Sequence, residues 1–236
     1  MLNLIKNYSP NFSTYKRNFK NIKFIIIHYT GMMSENKAIN RLTNVNSKVS
    51  CHYFVKKNGK IILMVPEIYT SWHAGKSKWK KFKDLNQYSI GIELVNRGHK
   101  FGYQDYSKNQ INSLLKLCKD LKKKYSIKKE NFLGHSDIAP LRKIDPGEKF
   151  PWKKLSNFKI GVWYEKKPLK FVRSIENKEK SFFKNIKKLG YKYFKINKRN
   201  FNDKKIIKSF QQHYSPKNVT GKLDKKTYII SHFLTH

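Results

Sequence analysis

The stretch Gly134-His135-Ser136-Asp137-Ile138-Ala139-Pro140-Leu141-Arg142-Lys143-Ile144-Asp145-Pro146-Gly147 gathers a histidine, carboxylates and cations into one polar segment. An imidazole nitrogen and a carboxylate oxygen are donors that zinc accepts at about 2.0–2.2 Å, and a third protein ligand would leave one position for water. His28, at the end of the apolar run Phe24-Ile25-Ile26-Ile27, supplies that third donor. Zinc brings the pKa of a bound water to about 7, and a nearby carboxylate can then take its proton during attack on a carbonyl. Glu93 suits that task, since it interrupts the apolar segment Ile90 to Val95, where an unpartnered carboxylate is costly to bury. Lys143, two residues before Asp145, is placed to face the oxyanion of a tetrahedral intermediate. Each residue also has a plainer reading: a strand-end histidine is usually satisfied structurally, and a buried glutamate is often half of an ion pair. His52 reads as a core histidine and His73, in Trp72-His73-Ala74-Gly75, as a residue lining the cleft, while His99, His213, His232 and His236 have no supporting context.

These residues need elements to carry them. Lys23 to Thr30 reads as a strand buried on both faces, because its apolar run is continuous and rich in β-branched residues. Ser89 to Val95 and Asn131 to Gly134 read the same way, so three strands deliver polar residues from an apolar sheet. Val49 to Val65 predicts two strands joined at Lys57-Asn58-Gly59, since Asn-Gly supplies the positive φ of a tight hairpin. Ile111, Leu114, Leu115, Cys118, Leu121 and Tyr125 recur at helical spacing, and a second helix fits Asn36 to Leu42. His135 to Gly147 is expected as a loop. The order of elements predicts an α/β fold, with helices packed on a sheet.

The pattern weakens after Ile160, where Gly161 and Pro168 interrupt it. A catalytic domain over residues 1–160, a linker over 161–174 and a small all-α domain over 175–236 are therefore expected. The last would hold three helices, from Glu179 to Leu189, Asp203 to Tyr214 and Asp224 to Leu234. Cys51 and Cys118 lie in apolar contexts and read as buried thiols. No apolar run is long enough for a transmembrane segment, and Met1 to Pro10 is too polar for a secretory signal, which predicts a cytoplasmic chain. The net charge of +37 attracts polyanions, whether nucleic acid, acidic lipid or anionic wall polymer, without choosing among them. Lysine spread over solvated positions by composition alone accounts for it equally well.

Five segments together resemble the N-acetylmuramoyl-L-alanine amidase type 2 family, the zinc amidases of peptidoglycan: Ile26 to Thr30, Ser50 to Val55, Trp72 to Gly75, Ser89 to Leu94, and Gly134 through Trp152. They cover most of residues 20–160 in the family's order. The resemblance implies a mixed central sheet flanked by helices, with one zinc ion per chain on His28, His135 and Asp145. It further implies Glu93 as catalytic acid and base, Lys143 as the cation that stabilises the transition state, and Trp72 and His73 as substrate contacts. The reaction implied is hydrolysis of the amide between muramic or anhydromuramic acid and L-alanine of the stem peptide, in cell-wall turnover or recycling. Phe210-Gln211-Gln212, Val219-Thr220-Gly221, Leu223-Asp224 and Thr227 resemble a peptidoglycan-binding domain that follows the catalytic domain in one subgroup. That subgroup carries export signals, so the resemblance implies a periplasmic or envelope location where the chain's own start implies a cytoplasmic one. Peptidoglycan fragments are the expected partners, with electrostatic association to anionic wall or membrane surfaces alongside. Two rivals are a recognition protein that binds without cutting, against which the complete His, His, Asp set argues, and a nucleic-acid binder, for which no recognition motif exists.

Overall fold

The computed structural model describes residues 3–165 and 178–235, so the expected linker lies outside the described residues from position 166 onward. The strands are β1 (Leu4–Lys6), β2 (Phe12–Ser13), β3 (Phe24–Tyr29), β4 (Tyr53–Val55), β5 (Ile61–Leu63), β6 (Thr70–Ser71), β7 (Lys78–Trp79), β8 (Phe82–Lys83), β9 (Ser89–Leu94) and β10 (Phe132–Gly134). The helices are α1 (Glu35–Thr43), α2 (Lys108–Tyr125), α3 (His135–Ile138), α4 (Trp152–Ser156), α5 (Lys178–Leu189), α6 (Asp203–Tyr214) and α7 (Lys225–Phe233). Six strands form one mixed sheet in the order β1-β5-β4-β9-β3-β10. Only β4 and β5 pair antiparallel; the other neighbours run parallel.

The continuous apolar run of β3 is explained by cover on both faces. Ile25 and Ile27 pack with Ile90 and Ile92 against Ile111, Leu114, Leu115, Cys118 and Leu121 of α2. Phe24 and Ile26 face the other way, into a cluster with Trp79, Leu133 and the C-terminal residues Phe182, Phe183 and Phe210. The three C-terminal helices therefore share a core with the sheet. A smaller cluster holds α1 through Ala38 and Leu42 against Cys51, Phe54 and Met64. Both cysteines are buried free thiols.

Local signals set the element ends. A capping box between Ser107 and Gln110 starts α2, and Ser126 in the left-handed region closes it. Gly59, at φ +87°, turns the chain between β4 and β5. The expected loop after β10 instead opens with a single helical turn, α3, all of it buried. Asp137 makes this turn possible by accepting the Gly134 amide at 2.7 Å, while the Ala139 amide closes on the His135 carbonyl at 3.0 Å.

Gly91 in β9 marks a close approach. A Cβ there would lie 2.6 Å from His73 Cδ2, so the missing side chain is what lets the His73 ring lie on the sheet. Gly91→Ala should destabilise the fold by about 1–3 kcal/mol through overpacking. At about 2–4 °C per kcal/mol for a chain of this size, thermal unfolding reads the loss directly.

Candidate active site

Parallel pairing puts His28 of β3 beside Glu93 of β9, with Ile26 beside Gly91 one step earlier on the same face. On the other flank of β3, Gly134 pairs with Ile27, so the chain enters α3 at His135 just beyond the level of His28. The C-terminal ends of three adjacent strands thus converge on one point. Asp145 reaches it from the following loop, whose backbone is tied to α3 by the Ser136 amide on the Asp145 carbonyl at 2.8 Å.

There, His28 Nδ1 and His135 Nδ1 lie 2.9 Å apart, and Asp145 Oδ2 is 3.0 Å from the first and 3.1 Å from the second. All three side chains are buried. Burial alone would raise the Asp145 carboxyl, but the two imidazoles beside it hold it well below the usual carboxylate range. Burial, then the neighbouring His135, pushes His28 down to about 4. A neutral His28 imidazole beside an ionised carboxylate can offer its lone pair to a cation.

The outward nitrogens fix the tautomers. His135 Nε2 donates to the Ala74 carbonyl at 3.0 Å, which leaves Nδ1 unprotonated. His28 Nε2 lies 3.0 Å from His73 Nδ1, and His73 Nε2 lies 3.1 Å from Ser89 Oγ, whose hydroxyl donates to the Leu85 carbonyl. Read back from that carbonyl, the relay makes His73 Nε2 and His28 Nε2 the donors and again frees Nδ1. The two nitrogens and one carboxylate oxygen fit the donor set of a catalytic zinc site, with a position left for water.

Around this cluster lies a cleft of about 540 Å³. Glu93 stands on its wall with a buried Oε2 that has no hydrogen-bond partner. Burial, reinforced by the charge of Asp145 and opposed by Lys143, pushes its carboxyl up to about 8. Arg41, Lys100, Arg142 and Lys143 add four cations to the lining. Trp72 lines the cleft, but its indole N–H is taken by Ser13 Oγ at 3.2 Å. His73 also lines it, with both ring nitrogens committed to the relay. His52 is wholly buried, as a core histidine should be.

The family described as N-acetylmuramoyl-L-alanine amidase matches residues 18–148. N-acetylmuramoyl-L-alanine amidase AmiD of Escherichia coli K12 is 34% identical over 233 residues, 92% of this chain and 83% of that protein. The chain belongs to this amidase family. A structure of E. coli AmiD with the substrate anhydro-N-acetylmuramic acid-L-Ala-D-gamma-Glu-L-Lys superposes with a TM-score of 0.80 at 32% identity, covering 94% of this chain and 91% of that one. AmpDH3 of Pseudomonas aeruginosa in complex with anhydromuramic pentapeptide gives a TM-score of 0.81 at 28% identity, covering 99% and 97%. The 1,6-anhydro-N-acetylmuramyl-L-alanine amidase AmpD of Haemophilus influenzae is 37% identical over 108 residues, 45% of this chain and 56% of that protein.

Some of what surrounds the amidase site was not legible in the sequence. His213, without supporting context there, is buried and binds Asp137 at 2.8 Å. His99 bridges Tyr29, at 2.9 Å, and Glu148, at 3.0 Å. Arg142 caps the Ala74 and Lys76 carbonyls beside His135. Gly91 carried the one available signal, a glycine inside an apolar strand. Because His73 orients His28, His73→Phe should weaken divalent metal binding at the cluster by about tenfold. Chelator competition reads this, and an unchanged affinity would mean that the relay is dispensable.

Proposed function

We propose that this amidase cleaves the amide between the lactyl group of muramic or anhydromuramic acid and L-alanine of the stem peptide, using one zinc ion held by His28, His135 and Asp145. The observation that carries the reading is the convergence of His28 Nδ1, His135 Nδ1 and Asp145 Oδ2 within 4.8 Å, beside a glutamate whose inner oxygen has no partner. Bound there, zinc would polarise the scissile carbonyl and bring a water near its pKa at neutral pH.

The chain's own residues supply the rest. Glu93, with its raised affinity for a proton, takes one from the attacking water and returns it to the departing amine of L-alanine. Lys143 lies on the cleft lining and offers a cation to the oxyanion. The indole of Trp72 and the ring edge of His73 give the cleft apolar contacts for the substrate, since their polar atoms are engaged. The four lining cations favour a peptide that carries carboxylates. Peptidoglycan fragments are the substrates, by extension from the anhydromuramyl peptides held by the two solved relatives. The amidase domain is taken to end near residue 160, and α5 to α7 form the helical unit that engages the wall polymer. The net charge of +37 adds a nonspecific pull toward anionic wall or membrane surfaces, which salt would screen.

Metal analysis together with mass spectrometry of muropeptides tests this. The wild type should carry one zinc per chain and release free stem peptide. Glu93→Ala should keep the zinc and lose turnover by about 10²–10⁴-fold, whereas His28→Ala and Asp145→Ala should lose both zinc and turnover. Full turnover in Glu93→Ala would overturn the mechanism, and a zinc-free wild type that binds muropeptide uncut would overturn the enzymatic reading.

A further inference from the structure

The single turn α3 carries His135 and is bound from outside by side chains of the C-terminal segment. Asp137, two residues after His135, is 1% exposed. Its Oδ2 accepts from the Gly134 amide at 2.7 Å and pairs with His213 Nδ1 at 2.8 Å, and its Oδ1 accepts the Tyr191 hydroxyl at 2.5 Å. Ser209 Oγ, also from α6, donates to the Ser136 carbonyl at 2.8 Å. Three C-terminal side chains therefore bind one helical turn.

Two of them, His213 and Tyr191, are themselves wedged in place. The His213 ring stacks on Trp152 of α4 with ring centroids 4.0 Å apart and planes at 13°. Tyr191 packs edge-on against Trp79 at 4.9 Å. Gly190 lets the chain come that close, because a Cβ there would lie 2.7 Å from Trp79 Nε1. Its carbonyl accepts the Lys80 amide at 2.9 Å. A buried carboxylate stripped of its donors is costly, so without Tyr191 and His213 the Asp137 side chain would turn toward water, leave the Gly134 amide, and take the turn with it.

We propose that the C-terminal helical unit is a structural part of the metal site: Tyr191, Ser209 and His213 act through Asp137 and Ser136 as positioning residues that hold α3, and with it His135 Nδ1, in register with His28 and Asp145. The inference rests on the zinc reading given under Proposed function. It extends to these residues the general behaviour of groups behind a metal ligand, whose loss typically lowers metal affinity by 10–100-fold.

The test is zinc affinity by chelator competition on full-length variants, paired with steady-state kinetics on muropeptide. His213→Ala should weaken zinc binding about tenfold and lower kcat with KM little changed, since the cleft wall that meets substrate is untouched. His213→Asn keeps an N–H near the position of Nδ1 and should recover most of the loss. Tyr191→Phe removes one hydroxyl only, retains the packing on Trp79, and should also weaken zinc binding. As a control, Ser231→Ala breaks the bond from Asn185 of α5 to α7, at 3.2 Å, inside the helical unit and away from α3. It should lower the Tm and leave zinc affinity unchanged. Wild-type zinc affinity in both His213→Ala and Tyr191→Phe, or an equal loss in Ser231→Ala, would overturn the proposal while leaving the zinc reading intact. A wild type that takes up no zinc would overturn the zinc reading, and the positioning role with it.

Discussion

Because β3 and β9 run parallel with His28 opposite Glu93, an imidazole and a carboxylate leave the sheet side by side on one face. A slip of one residue would send either to the opposite face, against α2, so the apolar pairing of Ile25 with Ile90 and Ile27 with Ile92 sets the spacing of the polar pair. On the other flank, β10 ends at Gly134, where a Cβ would meet Pro146 Cδ at 2.7 Å. The two segments that bring His135 and Asp145 are thereby pressed together before any side chain makes a bond. The catalytic geometry is a consequence of register and of two close backbone approaches.

Placing so many polar groups at the edge of an apolar sheet has a cost that the surroundings must offset. Each buried imidazole of the cluster ends, directly or through His73 and Ser89, on a backbone carbonyl. Asp145 Oδ2 meets two Nδ1 atoms that this arrangement leaves as acceptors, while Asp137 is matched by an amide, a hydroxyl and an imidazole. Glu93 Oε2 departs from this rule of satisfaction. Departures from local consistency of this kind are expected at functional sites.

What could be read from the sequence was local. The strands of the central sheet declare themselves because burial on both faces demands a continuous apolar run, and α2 because its apolar residues recur at helical spacing. His28, Glu93, His135, Lys143 and Asp145 stand out as polar residues at the ends of such runs or in the segment that follows one. The turn α3 was not legible, since four residues carry no periodicity and its stability comes from a cap and from partners far along the chain. Asp137 meets Tyr191 and His213 across 54 and 76 residues, and a histidine gives no sign in the sequence that its partner is a distant carboxylate. The sequence places His73 on the cleft lining, but its part in holding His28 depends on Gly91, which only the packed structure relates to it.

The cleft separates its charges by depth. Asp145 sits buried beside His28 and His135, while Arg142 and Lys143 lie nearer solvent and share the lining with Arg41 and Lys100. A carboxylate-bearing peptide would meet a positive rim there, in keeping with the 52 basic and 15 acidic residues of the chain. The floor by itself would oppose it, because ionised Asp145 repels an anion and Glu93 adds to the repulsion when ionised. A divalent cation held by the two imidazoles and Asp145 would reverse the sign of that floor and extend the attraction of the basic lining down to the cluster.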